Sequence, residues 1–260
     1  DRDYANLDDN DLSDRNLVGA NLLDVDLSGK DLTNANLTGA YLIGKDLTGT
    51  ILRGADLSSA NLAGADLSGM DLSNANLTNA ILTDAYLSNA DLTNTILIGA
   101  DLSKTNMDNV DLSGKDLTGA RLARADLTNT NLDNVALSHI DFTGARLHGV
   151  NLYGSDLSNA NLSYTDLTGA DLSNTDLTAA NVFGVNLTSA NLSGQDLSNM
   201  DFSYSTFIDV DISSADLTNT KFDNANFKDT NLQNTNLIAT SLVGIDLTKI
   251  KNKSLAGADL

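Results

Sequence analysis

Every fifth residue from Leu7 to Leu247 is apolar, without a slip. Most of these are Leu; the others are Met107, Phe142, Val182, Phe202, Phe207, Ile212, Phe222 and Phe227. The residue before each is usually Asp or Asn and the residue after it mostly Ser or Thr. Then comes a position often filled by Gly or Asn, and then a small one. A period of five matches neither a 3.6-residue helix nor a two-residue strand. With two positions per pentad buried and three polar, the chain must turn in every pentad, and Gly, Asn, Asp and Ser at fixed offsets supply the turns. The pattern predicts a solenoid in which each pentad forms one short side and successive coils stack through backbone hydrogen bonds. The absence of proline agrees, because proline would remove a ladder donor.

Pentads such as Ala35-Asn36-Leu37-Thr38-Gly39 and Ala65-Asp66-Leu67-Ser68-Gly69 resemble those of the pentapeptide-repeat protein family. The resemblance covers nearly the whole chain. It implies an all-β fold, a right-handed quadrilateral β-helix (solenoid) with four pentads per coil. The central Leu or Phe and the small residue two before it would point inward. At a strand-like spacing of about 4.8 Å, roughly 12–13 coils would make a rod about 60 Å long. Residues 1–248 are expected to form one continuous β-helix, and 249–260 to hold a register break and the start of a shifted repeat. The resemblance implies less about function, since the family includes scaffolds and DNA-mimicking gyrase-protection proteins.

Positions 20 apart should stack, which turns the sequence into columns. Phe202 and Phe222 share one column and Phe207 and Phe227 the next, predicting two aromatic ladders in the core. Arg121 falls between Asp101 and Asp141, and Arg146 between Asp126 and Asp166, as local charge relief. Asp156, Asp176, Asp196 and Asp216 form an acidic column without such relief. They are weak cation candidates, with weak Ca²⁺ binding as the most they offer, because a flat ladder does not gather six to eight oxygens around one point. Outward apolar residues Leu23, Tyr41, Ile43 and Ile81 line one face and are the candidate partner-binding surface.

Lys30, Lys45 and Lys115 occupy the small inward slot, as does Gln195, each preceded by Gly and followed by Asp. The expectation is snorkelling: the stem lies along the core wall, and the following Asp31, Asp46 or Asp116 offers an acceptor.

Charge and composition narrow the function. The formal net charge is −20, all the acid is Asp, and there is no Cys, Trp or Glu. Nucleic acid and anionic membrane both require Lys/Arg neutralisation and are disfavoured as partners. No thiolate metal site or Cys nucleophile is available. His139 and His148 fall on different faces, no phosphate- or dinucleotide-binding fingerprint occurs, and a solid core leaves no deep pocket. The sequence therefore predicts no enzyme, no catalytic residue, no resident metal and no cofactor. No apolar run is long enough to span a bilayer; a soluble cytoplasmic or secreted setting fits equally. The expected function is a non-catalytic interaction scaffold, an acidic rod presenting binding faces to a protein partner that the sequence does not identify. The alternative is a structural or adhesive module, extracellular or not, that associates end to end. Open β-coil ends motivate it, and so does the absence of an amphipathic cap in the Lys-rich stretch after Leu247, although flanks of a longer protein could cap such ends. Third comes a DNA-mimicking inhibitor of a DNA-binding enzyme.

Overall fold

The computed structural model describes residues 7–251. Residues 1–6 and 252–260, with the shifted restart at Ala258-Asp259-Leu260, lie outside the described residues. The chain divides into two compact units, Asp1–Leu127 and Thr128–Leu260.

Within each unit the coil repeats every 20 residues. In the first, parallel bridges join Asn16 to Asn36 and Asn36 to Asp56; in the second, Asn161 to Asn181 and Asp211 to Asn231. Four pentads thus close one coil, and every bridge lies at the residue before the central apolar one. The β structure consists of isolated single-residue bridges rather than extended strands. A side of five residues has no room for more, because the two residues after each centre are spent on the turn.

One pentad shows why the sequence has this grammar. The Ala35 amide closes the turn onto Leu32 O at 3.0 Å, Asn36 N reaches down to Arg15 O at 2.8 Å, and Leu37 N reaches up to Asp56 O at 2.7 Å. Gly39 N reaches up to Ser58 O at 2.8 Å. Only the Thr38 amide lacks a backbone acceptor, and the Asn36 side chain accepts from it at 3.1 Å. All five amides are thereby paired, as backbone taken out of water requires. The Asp or Asn before each Leu is a turn acceptor as well as a surface group. The position after Ser/Thr has left-handed φ, for example 65° at Gly39 and 55° at Asn34, which explains the Gly and Asn found there.

The interior holds the central apolar residues and the small slot residues, fully buried along most of both units. Most slot hydroxyls share one recurring bond: Thr105 Oγ1 donates to Leu82 O at 2.9 Å and Thr165 Oγ1 to Phe142 O at 3.0 Å, each 23 residues back, while Thr235 Oγ1 donates to Leu232 O in its own coil. In the second unit the two expected Phe ladders fuse into one cluster. Phe202 and Phe222 stack at 5.5 Å and 10°, and Phe207 meets Phe202 and Phe222 edge-on at 5.2 Å. Phe227 closes the group against Phe222 at 4.9 Å. At the end of the described chain, a 3₁₀ turn at Leu247–Lys249 is capped by the Asp246 carboxylate accepting from Thr248 N.

The slot lysines differ from the expectation. Lys30 is buried, and its Nζ donates to Asp9 O at 3.0 Å; Lys45 Nζ donates to Val25 O at 2.7 Å. Gln195 Nε2 copies the threonine bond, reaching Leu172 O at 2.8 Å. For Lys30 and Lys45 the acceptors are backbone carbonyls of the neighbouring coil rather than Asp31 and Asp46. An inward-starting stem meets a carbonyl one coil away before it can double back around its own backbone to the next residue.

Other long slot residues coincide with missing ladder bonds, whereas after Lys30 the bond from Asp31 N to Asn10 O is kept at 2.7 Å. Among the described residues, no backbone bond joins Asp46 to Val25, Asp116 to Thr95, Asp196 to Thr175, Asp71 to Thr50 or Asp201 to Ala180. The residue above each gap is Lys45, Lys115, Gln195, Met70 or Met200. Each is too long to sit where Ala or Thr sits without prising the coils apart. In amide hydrogen exchange, Asp196 and Asp201 should exchange at least about tenfold faster than Asn231 and Asn236, because local opening already lacks those bonds. The latter two amides reach Val210 O and Ala215 O at 2.9 and 3.0 Å. Gln195→Ala should restore protection at Asp196; no gain would mean that the slot side chain is not the wedge.

Candidate functional site

The outward strip of the first unit is built by its ladder. Asn21 bridges Tyr41, Tyr41 bridges Asn61, and Asn61 bridges Ile81, so Tyr41 and Ile81 share one side, two coils apart. Leu23 and Ile43 follow two residues after bridging positions on the same side, at the first turn residue. All four are exposed, Tyr41 to 49%. Their backbone is held by the repeat: Tyr41 N donates to Ala20 O at 2.8 Å, and Leu23 N to the Asn21 side chain at 3.2 Å. Beside Leu23 and Ile43 runs a shallow cleft of about 450 Å³ where the bond between Asp46 and Val25 is missing.

The acidic column of the second unit is divided. Asp156 bridges Asp176 and Asp196 bridges Asp216, while Asp176 and Asp196 are separated by the gap above Thr175. One oxygen of each carboxylate is occupied locally, accepting from the amides of Ser158, Thr178, Ser198 and Thr218 at 2.9–3.0 Å. Hydrogen bonds from the Thr178 hydroxyl and amide hold the Asp176 carboxyl below the usual range, and those from Thr218 do the same for Asp216. Among the described residues no group of three or more His, Asp or Glu side chains converges as a metal site would. In the first unit Arg121 meets Asp101 at 3.7 Å; in the second, Arg146 bridges Asp166. His139 sits at a corner with φ 62°, and His148 lies in a different pentad.

An exposed aromatic group in the second unit escaped the column reading. Tyr164 and Phe183 meet edge-on at 5.8 Å, and Phe183 and Tyr204 at 5.5 Å and 53°. Columns compare residues 20 apart, whereas these are 19 and 21 apart, because the tyrosines stand at the corner position and Phe183 one residue before it. Allowing neighbours of one residue either side in the next coil would have found them.

The family model for pentapeptide repeats matches between residues 5 and 248, in overlapping segments that span most of the chain. The chain belongs to the pentapeptide-repeat family. Among solved structures, this repeat protein is similar to HetL, involved in heterocyst differentiation regulation in the cyanobacterium Nostoc sp. strain PCC 7120. Identity is 29% over 88% of each chain, with a TM-score of 0.38. It is also similar to a trypsin-treated form of QnrB1, a plasmid-mediated fluoroquinolone resistance protein, at 21% identity over 82% of this chain and 87% of that one, TM-score 0.41. Rfr23 from the cyanobacterium Cyanothece 51142 is 23% identical over 65% of this chain and 93% of its own, TM-score 0.26. No curated protein matches the chain. No described helix is long and apolar enough to cross a membrane.

Proposed function

We propose that this repeat protein is a non-catalytic scaffold for protein contacts, with the right-handed coil sense that its family resemblance implies. The observation that carries the reading is the exposed strip Leu23, Tyr41, Ile43 and Ile81, borne on one side of a backbone anchored by ladder bonds such as Tyr41 N to Ala20 O and Ile81 N to Ala60 O. Such a side cannot bury those side chains by rearranging, because moving them would break ladder bonds. A partner surface can cover them, and contiguous exposed apolar groups favour that outcome. The cleft beside the strip is shallow and open and mixes Leu23, Val25 and Ile43 with Asp24, Asp26 and Asp46, which supports adhesion over chemistry.

The double variant Tyr41→Asp/Ile43→Asp tests the reading. Both side chains are exposed, so the fold is retained and the thermal midpoint should move by little. A specific protein partner recovered by the wild type from its native lysate should be lost, with affinity at least about tenfold weaker in titration. Unchanged partner recovery by the folded variant would remove this strip as the binding surface.

A further inference from the structure

The aromatic ridge of the second unit has no role in the core. Tyr164 and Tyr204 are 64% and 63% exposed, and in the second unit's core the Phe cluster is complete without them. Their backbones are held at φ 58° and 62°, left-handed conformations that a bulky residue adopts only at a cost and that this repeat elsewhere gives mostly to Gly and Asn. Gly184, at the corner between them, makes room: a Cβ there would come within 2.8 Å of the Tyr164 ring. The ladder then locks the group, with Tyr164 N donating to Phe183 O at 3.0 Å and Tyr204 N to Asp223 O at 2.9 Å. Three rings from three successive coils are thus gathered on an outer corner.

The ring geometry selects among occupants. A sugar chain stacks on ring faces that share a plane, and these rings are turned by 80° and 53° to one another. Tyr164 and Tyr204, turned this way and largely exposed, keep outward ring faces on which a small planar cation can stack. The negative face of an exposed ring attracts a guanidinium, and a chain of net charge −20 draws basic partners to its surface. We infer that Tyr164, Phe183 and Tyr204 form a docking ridge for an arginine-rich segment of a partner protein. The inference rests on the scaffold reading and assigns it a second surface with a defined partner chemistry.

Titration of the full chain with a fluorescent arginine-rich peptide, its lysine counterpart and a neutral Gly/Ser peptide, at physiological salt, tests it. The wild type should bind the arginine peptide about tenfold more tightly than the lysine one, since only the planar guanidinium stacks. Tyr164→Asn/Tyr204→Asn should weaken arginine-peptide binding by at least about tenfold while leaving the fold intact, because Asn is the residue suited to these corners. Asn occupies the same corner position at Asn174, Asn199 and Asn219. Equal affinity for the two basic peptides, or full binding by the double variant, would reduce the effect to net charge and overturn the ridge. Binding of cellohexaose instead of peptide, or a self-association that the double variant abolishes, would assign the ridge to a glycan or to a second copy and overturn it equally. Tyr41→Asp/Ile43→Asp should keep full peptide binding, so failure of the ridge and failure of the first-unit strip register separately.

Discussion

Phe222→Ala destabilises the second unit by about 3–5 kcal/mol, the range for removing a large buried ring from a core that cannot collapse around the void. Phe222 is fully buried and touches Phe202, Phe207 and Phe227, with centroids 5.5, 5.2 and 4.9 Å away. The void cannot be closed, because the spacing of the coils is set by backbone bonds above and below. Phe222 N donates to Ser241 O at 2.9 Å, and the flanking Lys221 N to Met200 O at 2.9 Å. Closing the gap would break that ladder. Stacked repeats need not unfold in one step. The measurement is therefore denaturant-dependent hydrogen exchange, read at amides of the Phe cluster. The half-buried Phe183, outside the cluster, serves as the contrast: Phe183→Ala should cost well under half as much. Equal losses at the two sites would show that the cluster is not where the second unit's stability is concentrated.

The protein should also be acid-labile, its thermal midpoint level from pH 8 to about 5 and falling by several degrees below about pH 4. The cause is the turn acceptor. Hydrogen bonds from the Thr48 hydroxyl and amide hold the Asp46 carboxyl below its usual value; Thr93 does the same for Asp91, Thr118 for Asp116 and Thr218 for Asp216. A carboxyl depressed in the folded state binds protons less readily there than in the unfolded chain. Its stabilisation is fully present above the unfolded value of about 3.9 and is lost as the pH falls through the lower folded value. Protonation at that point removes the charge on the oxygen that accepts the turn amide. Asn performs the same bond without titrating, as Asn36 does for Thr38. A variant with Asp46, Asp91, Asp116 and Asp216 all changed to Asn should therefore lose part of the acid sensitivity while keeping its stability at neutral pH. A wild-type midpoint that rises on acidification would mean instead that relief of repulsion among the carboxylates outweighs the turns.

The lysine slots show where sequence reasoning reached and where it stopped. That Lys30 and Lys45 enter the core wall was legible from their place in the five-residue period. The group that receives each ammonium was not, because it lies 20 or 21 residues back, in a neighbouring coil whose carbonyl direction the sequence does not encode. The candidate surfaces divide in the same way. Leu23, Tyr41, Ile43 and Ile81 were found by counting in twenties. Tyr164, Phe183 and Tyr204 were missed because side chains at a corner lean across the column boundary, and Gly184 makes space for that lean.

The sequence alone determined the five-residue repeat and its buried apolar centre, since a strict period with one apolar centre per pentad leaves few ways to bury it; the 20-residue coil and the inward slot came from the family resemblance. It also placed the four core phenylalanines in adjacent columns. Tertiary structure decided which rungs of the ladder are closed, whether two Phe ladders stay separate or merge, and which exposed side chains touch. Those outcomes depend on side-chain length and direction between coils, where an ångström of extra bulk at Lys115, Gln195 or Met200 is enough to separate a donor from its acceptor.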